Sequence, residues 1–299
     1  MPDASLPADS GRRPTYLETI QRMTQRFTEA GLATPRLDAE VLLRHTAGLS
    51  RSDLFMRYPE PLPADIDLVL EMLVVGRLAG RPVAYLVGER EFMGMPFRVR
   101  DGVLVPRPET EILVEWALGL LAPGWTVVDA GTGSGAIAVS LAALGRDLTV
   151  IATDVSPVAL AIAEENADRL LEGERRERIL FREGSLLDAV SEPVTMVLAN
   201  LPYLTPEQVD GNPDLAAEPR LALDGGPDGL DLIRELVADL PRVLVDGGGV
   251  GLEIDPAQQG AVEGLLRAAF PGRVVETLPD LAGLARHVVM LPTGAGSRS

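Results

Sequence analysis

The chain has 299 residues, 46% of them apolar and 24% charged, an ordinary globular composition that excludes a disordered or fibrous protein. Its formal charge of −17 argues against a protein that grips nucleic acid through a basic stripe, so no direct nucleic-acid partner is expected. With no cysteine, only His45 and His287 as histidines, and all 27 basic residues arginine, the chain has no thiolate chemistry, Schiff-base lysine or P-loop lysine, and no metal is expected.

The start, MPDASLPADSGRRP, has no apolar run behind its charges and does not read as a signal peptide. No stretch approaches the roughly 18 apolar residues of a membrane span, so a cytoplasmic protein without a membrane partner is expected. Residues 1–14 and 293–299 are rich in small and polar residues and read as frayed tails. Residues 15–80 then follow a helical pattern. Leu17, Ile20, Phe27 and Ala30 fall on one face, with Gly31 as a stop. Pro35 opens a second helix carrying Leu37, Val41 and Leu42. The most regular stripe is Ile66, Val69, Leu70, Leu73 and Val74. Residues 81–106 change character: Glu91–Arg100 reads as two short strands about a Gly94-Met95-Pro96 turn, a hairpin linker.

Over 107–292, apolar runs alternate with helical stretches. The runs lie at 126–129, 149–153, 179–182, 195–200, 249–253, 274–278 and 287–291, and the helices at 108–121, 134–144, 156–171, 228–243 and 256–269. Such alternation predicts an α/β fold with a largely parallel sheet, whose ligands bind beyond the carboxyl ends of the strands.

Three strand ends carry candidate chemistry. Val127-Val-Asp129-Ala-Gly131-Thr132-Gly133-Ser134-Gly135 joins an apolar strand to a helix through glycines that let backbone approach a ligand closely. The glycines alone fit a plain tight turn or a dinucleotide site equally. Asp129 just before them suits a cationic ligand such as S-adenosylmethionine better than a pyrophosphate. Asp154, 25 residues further on, ends the next run, where one carboxylate can accept two hydrogen bonds from a ribose diol. The competing reading is a helix cap by Asp154 or by Ser156 ahead of Pro157. Gly184 and Ser185 follow the third run and are placed beside the adenine edge. The fourth run ends in Asn200-Leu201-Pro202-Tyr203.

This last segment resembles the Asn-Pro-Pro-Tyr signature of methyltransferases that act on a planar nitrogen, with Leu201 in place of the first proline. An amide lone pair is delocalised into its carbonyl and is a poor nucleophile. The resemblance implies that the Asn200 side-chain oxygen and the Leu201 carbonyl accept from its two N–H groups, that Tyr203 supplies an aromatic face, and that Pro202 stiffens the turn. Three further segments occur in order: Pro82-Val-Ala-Tyr85-Leu-Val-Gly88-Glu-Arg-Glu-Phe, Val105-Pro-Arg-Pro-Glu109-Thr-Glu111, and Glu218-Pro-Arg220-Leu-Ala-Leu-Asp224-Gly-Gly-Pro-Asp-Gly229. Together they resemble the bacterial protein-(glutamine-N5) methyltransferases of peptide chain release factors, over roughly residues 15–292.

The resemblance implies a class I methyltransferase (Rossmann-like) domain over 107–292. Its seven-stranded sheet is mixed but mostly parallel, and a hairpin joins it to a small N-terminal helical domain for substrate recognition. It also implies S-adenosylmethionine as cofactor, held by Asp129, Gly131, Thr132, Gly133, Ser134, Gly135, Asp154, Ser185 and Asn200. The implied substrate, bound by Asn200, Leu201, Pro202 and Tyr203, is the glutamine of the release factors' Gly-Gly-Gln loop. Three other readings share parts of the pattern. A glutamine methyltransferase of a ribosomal large-subunit protein differs weakly in sequence. A DNA adenine-N6 or cytosine-N4 methyltransferase must also hold a polyanion. A nicotinamide oxidoreductase leaves Asn200–Tyr203 unexplained. Among the remaining features, Pro108–Glu111 reads as an ordinary helix start, and its resemblance to the family motif implies that it also walls the cofactor site. Arg220 reads as a structural ion pair, both histidines as structural, and the methionines as core filler.

Overall fold

The computed structural model describes residues 12–293. The expected tails lie mostly outside that range; at its limits the Pro14 carbonyl accepts the Leu62 N–H at 2.7 Å and Thr293 N–H donates to the Gly247 carbonyl at 2.8 Å. The chain forms two compact units divided between Val87 and Gly88.

The first unit holds helices α1 (Tyr16–Glu29), α2 (Pro35–Ala47), α3 (Arg51–Met56), α4 (Ala64–Leu78) and α5 (Val83–Val87). Thr15 starts α1 with a reciprocal cap: its hydroxyl accepts the Glu18 N–H at 3.2 Å and the Glu18 carboxylate accepts the Thr15 N–H at 2.7 Å. Pro35 sits at the first position of α2, and Gly48, at φ 63°, ends it in the left-handed region. The buried stripe of α1 is centred on Ile20, Met23 and Phe27, which leaves Leu17 half-buried and Ala30 exposed. On α2 the core takes Leu42 and Leu43 while Leu37 faces out. On α4 it takes Leu70 and Val74 while Val69 faces out. The neighbouring Leu68 and Met72 are exposed too, so not every methionine is core filler. His45 is exposed near the end of α2, contrary to its expected structural role.

The second unit opens with the hairpin β1 (Glu89–Phe92) and β2 (Met95–Arg98). Its turn is Met93-Gly94, at φ 51° and 72°, one residue earlier than expected; two successive positive φ values match the twist of a two-residue hairpin. Pro96 therefore falls inside a strand. The chain continues through α6 (Pro108–Leu118), β3 (Thr126–Ala130), α7 (Ala136–Leu144), β4 (Thr149–Asp154), α8 (Pro157–Leu170), α9 (Glu174–Glu177), β5 (Ile179–Glu183), β6 (Val194–Ala199), α10 (Pro206–Asp210), α11 (Asp231–Val243), β7 (Leu244–Glu253), α12 (Gln259–Ala269), β8 (Val275–Pro279) and β9 (Ala285–Met290).

The main sheet has the order β5-β4-β3-β6-β7-β9-β8; β5 through β7 run parallel and β9 runs antiparallel to both neighbours. This is the mixed, mostly parallel seven-stranded sheet of a class I methyltransferase. Alternate side chains of each strand enter opposite layers. Val127, Val150, Met196 and Leu198 pack with Leu113 of α6, Val139 of α7 and the hairpin's Phe92 and Phe97. Val128, Ile151, Val197 and Val250 pack with Leu236 of α11 and Leu266 of α12. Both faces are covered, as a parallel sheet requires. The chain winds one way from β3 to β4 and β5 and the other way to β6 and β7, so a crevice opens between the carboxyl ends of β3 and β6.

Candidate active site

A cavity of about 500 Å³ lies at those carboxyl ends. Gly131, Thr132, Gly133, Ser134, Asp154 and Ser185 line one side of it, and Asn200, Leu201 and Pro202 another. On the first side, Gly131, Gly133 and Gly135 all take positive φ, at 73°, 56° and 80°. Asp154 holds the loop to β4: its carboxylate accepts the Gly133 N–H and the Ser156 N–H, each at 2.9 Å. The helix cap belongs to Ser156, whose hydroxyl accepts the Ala159 N–H, so Asp154 keeps lone pairs for a ligand. Burial raises its pKa above the ordinary carboxylate value, against the pull of these N–H donors.

Asp129 is placed differently from expectation. It is fully buried behind the loop and does not line the cavity. Its Oδ2 accepts the Thr132 hydroxyl at 2.6 Å and the Ala138 N–H at 3.0 Å. Gly135 occupies the cap position of α7 and has no side chain, so Asp129 does the capping from the strand. Its Oδ1 has no partner, and burial pushes its pKa up to about 7. Gly135 is off the cavity wall too; a Cβ there would lie 3.0 Å from that of Ala163, so its role is close packing of the loop against α8.

On the second side, Asn200 directly follows β6 and its Nδ2 donates to Thr110 Oγ1 at 2.9 Å. Thr110 lies in the first turn of α6, and its own hydroxyl donates to Glu253 Oε2 at 2.6 Å, at the end of β7. Tyr203 is not on the cavity wall; its hydroxyl donates to Glu253 Oε1 at 3.3 Å. Burial first, then the Glu253 charge, raise the Tyr203 pKa and keep its hydroxyl protonated. His287 is fully buried with Nε2 3.5 Å from Glu253 Oε2. The backbone of this loop is also held from afar. Gln258 Nε2 donates to the Tyr203 carbonyl at 2.9 Å, and Leu204 exchanges hydrogen bonds with Leu223 and Gly225. Gly229, at φ 71°, packs so closely that a Cβ there would lie 2.1 Å from the Tyr203 carbonyl oxygen. The 218–229 segment is thus a platform for the Asn200 loop. Glu218 pins its start, accepting the Val105 N–H at 2.9 Å and pairing with Arg107.

A family profile described as the PrmC N-terminal domain matches residues 18–88, and one described as ribosomal protein L11 methyltransferase (PrmA) matches residues 107–202. The release factor glutamine methyltransferase of Moorella thermoacetica is 40% identical over 276 residues, covering 91% of this chain and 96% of that protein. That of Deinococcus radiodurans is 39% identical over 274 residues, with the same coverage of each. The chain belongs to the release factor glutamine methyltransferase family. Among solved structures, the hMettl16 catalytic domain in complex with a MAT2A 3′UTR hairpin is similar in fold, at 14% identity and a TM-score of 0.54, over 72% of this chain and 81% of that one.

Of the residues expected from the sequence, Gly131, Thr132, Gly133, Ser134, Asp154, Ser185, Asn200, Leu201 and Pro202 line the cavity and Asp129, Gly135 and Tyr203 do not. Several residues that hold the two loops carry no sequence signal. Glu253 and Gln258 carry no local signal, since each ends or follows an apolar run like many surface residues. Asn166, fully buried on α8, is missed too: its side chain clasps β2 by exchanging hydrogen bonds with Arg98 and donates to the Ser134 carbonyl at 2.9 Å. Thr110 had a signal, its place in the Pro-Glu-Thr-Glu segment, and it does line the cavity. Arg220 is the exposed ion pair expected, with Asp210 and Asp224.

Proposed function

We propose that this enzyme transfers a methyl group from S-adenosylmethionine to the side-chain amide nitrogen (N5) of the glutamine in the Gly-Gly-Gln loop of peptide chain release factors, in the cytoplasm where those factors act. The observation that carries this reading is the Asn200 side chain, on the cavity wall with its NH2 bound to Thr110 and, among the described residues, no hydrogen bond on its Oδ1. That oxygen and the Leu201 carbonyl are the two acceptors for the amide's N–H groups. With both hydrogens held, the nitrogen lone pair is aimed along one direction, and positioning of this kind supplies several kcal/mol. Pro202 bounds the site, and Tyr203 is fixed through Glu253 as its flank.

The cofactor side fits an adenosyl donor. The cavity is of the size typical for small-molecule sites, roughly 300–1,000 Å³. Its glycine wall leaves room for close backbone approach, and the remaining lone pairs of Asp154 suit a ribose diol. A carboxylate at the wall favours a phosphate-free, cationic donor. When bound, S-adenosylmethionine supplies an electrophilic methyl on a sulfonium; the alkylated amide is acidic and gives its proton to solvent, so no strong base is required. The helical unit serves recognition of the protein substrate, a role supported by the exposed apolar face of α4 at Leu68, Met72 and Val75.

A methylation assay with labelled cofactor tests this, offering release factor, ribosomal large-subunit protein and DNA side by side to the intact enzyme and to Asn200→Ala. Label should enter the release factor alone, and Asn200→Ala should lose at least about a hundredfold in turnover while still binding cofactor. Label in DNA or the ribosomal protein instead would refute the substrate assignment. Serine at Leu68, Met72 and Val75 should raise KM for the release factor without changing cofactor affinity.

A further inference from the structure

We infer that Thr110 and Glu253 are positioning residues that set the polarity of the Asn200 side chain, forcing it to present an acceptor to the substrate. The inference rests on Asn200 contacting the substrate amide and goes beyond it, because an asparagine amide can face a ligand with either end. Carbonyl and NH2 are nearly equal in shape, and a half-turn about the last side-chain bond exchanges them. Something else must decide which end faces the cavity.

The hydrogen-bond chain decides it. Both oxygens of Glu253 accept hydroxyl hydrogen bonds, from Thr110 at 2.6 Å and from Tyr203 at 3.3 Å, and His287 Nε2 lies 3.5 Å from the first of them. Thr110 has one hydroxyl proton and gives it to Glu253. Its oxygen can then only accept, and the neighbour 2.9 Å away is Asn200 Nδ2. The NH2 end of Asn200 is thereby turned to Thr110 and Oδ1 is left for the cavity. Thr110 and Glu253 are both buried, at 4% and 1% exposure, so water does not substitute for either partner. Glu253 orients two residues of the Asn200–Tyr203 segment from one point at the end of the neighbouring strand.

A consequence for specificity follows. Two fixed acceptors admit a group bearing two N–H donors and repel a carboxylate, which carries none. Glutamine is accepted, whereas glutamate at the same position meets only oxygens.

The relay is tested by kinetics with intact release factor and calorimetric cofactor binding for Thr110→Val, Thr110→Ser, Glu253→Gln and Asn200→Ala. Thr110→Val keeps the shape but removes the hydroxyl. It should lower kcat by about tenfold to a hundredfold, with cofactor Kd and KM for release factor little changed. Thr110→Ser should recover most of kcat. Glu253→Gln can place an NH2 against Thr110, reversing the direction of donation and turning the Asn200 NH2 toward the cavity. This variant should lose turnover and be inhibited more strongly than wild type by a release factor bearing glutamate in place of the glutamine. Wild-type turnover in Thr110→Val, equal loss in Thr110→Ser, or no gain in inhibition by the glutamate form with Glu253→Gln would each overturn the relay. If Thr110→Val fails to fold, the inhibition pattern of Glu253→Gln decides. An active Asn200→Ala would instead bring down the underlying reading of the site.

Discussion

The glycine loop and the Asn200–Tyr203 loop wall the same cavity, yet they are held in opposite ways. The glycine loop is fastened by partners close in sequence: Asp129 to Thr132 and Ala138, three and nine residues on, and Asp154 to Gly133, 21 residues back. The Asn200 loop is fastened by distant partners: Thr110 is 90 residues away, Glu253 lies 50 from Tyr203, and Gln258 lies 55 from it. A loop built from its own neighbours forms once its strand and helix form. A loop built from four separate segments is correct only when the whole sheet is assembled, and its geometry is more easily lost.

The largest expected effect breaks that second loop from a distance. Gly229→Ala places a methyl 2.1 Å from the Tyr203 carbonyl oxygen and 2.4 Å from Gln258 Nε2, at a φ of 71°. Backbone must move, so turnover should fall at least about a hundredfold and stability by about 2–4 kcal/mol. The matching change in the first loop is Gly133→Ala, also at positive φ (56°) but with nothing within 4 Å of the added carbon. Without cofactor it should cost only the left-handed strain, about 1–2 kcal/mol. Urea unfolding of the two variants checks the contrast, and equal losses would remove the distinction between the loops.

Next comes Asp154→Ala, which removes both the clasp on Gly133 and the acceptor proposed for a ribose diol. Cofactor affinity should weaken by about 1–3 kcal/mol, with KM for release factor unchanged. Calorimetry showing wild-type affinity would take Asp154 out of the binding site.

The same contrast explains what was legible in the sequence. Strands β3, β4 and β6 and the turns after them announce themselves, because apolar alternation, glycine and a terminal acid are local signals. The polar and glycine residues at those strand ends that line the cavity could be named for that reason. The role of Asp129 was misjudged because a carboxylate before a glycine turn has the same local signature whether it faces a ligand or caps the next helix. Glu253, Gln258 and Asn166 were invisible because each acts across segments, and no periodicity marks a side chain that reaches another strand's loop. The hairpin turn shifted by one residue because Met93 takes a positive φ, which a β-rich methionine gives no reason to expect. Short α3 and α5 lack the two turns needed to show a helical period.

Asp129 offers a smaller test confined to the first loop. Its folded-state pKa of about 7 lies above the ordinary carboxylate value of 3.8. Well below pH 3.8, folded and unfolded chains both hold the proton. As pH rises from there toward 7, the unfolded chain releases it while the folded chain keeps it, so this group's contribution to stability declines by up to about 1.4 kcal/mol per pH unit. Asp129→Asn mimics the protonated form, with its NH2 where Oδ1 lacks a partner. The variant should therefore gain on wild type between pH 5 and pH 8 in urea unfolding without cofactor. A gap that does not move with pH would mean the carboxylate is not held uncharged by burial.

The smallest expected effect lies at Leu201, where the family signature has proline. Its catalytic contribution in the present reading is the backbone carbonyl, which Leu201→Pro retains, so turnover should stay close to wild type. The side chain is another matter. Leu201 is 4% exposed, packs in the core layer of Val197 and Val250, and has its Cδ2 3.1 Å from where a Gly131 Cβ would stand. Its side chain thus reaches from the second loop to the first. A proline ring is smaller and fills less of that space, so a stability loss of about 1–2 kcal/mol is expected, read as a lower melting temperature. Proline also confines Asn200, the residue before it, to extended backbone. Lost turnover with an unchanged melting temperature would reverse the assignment, giving the Leu201 side chain the substrate contact and the carbonyl none.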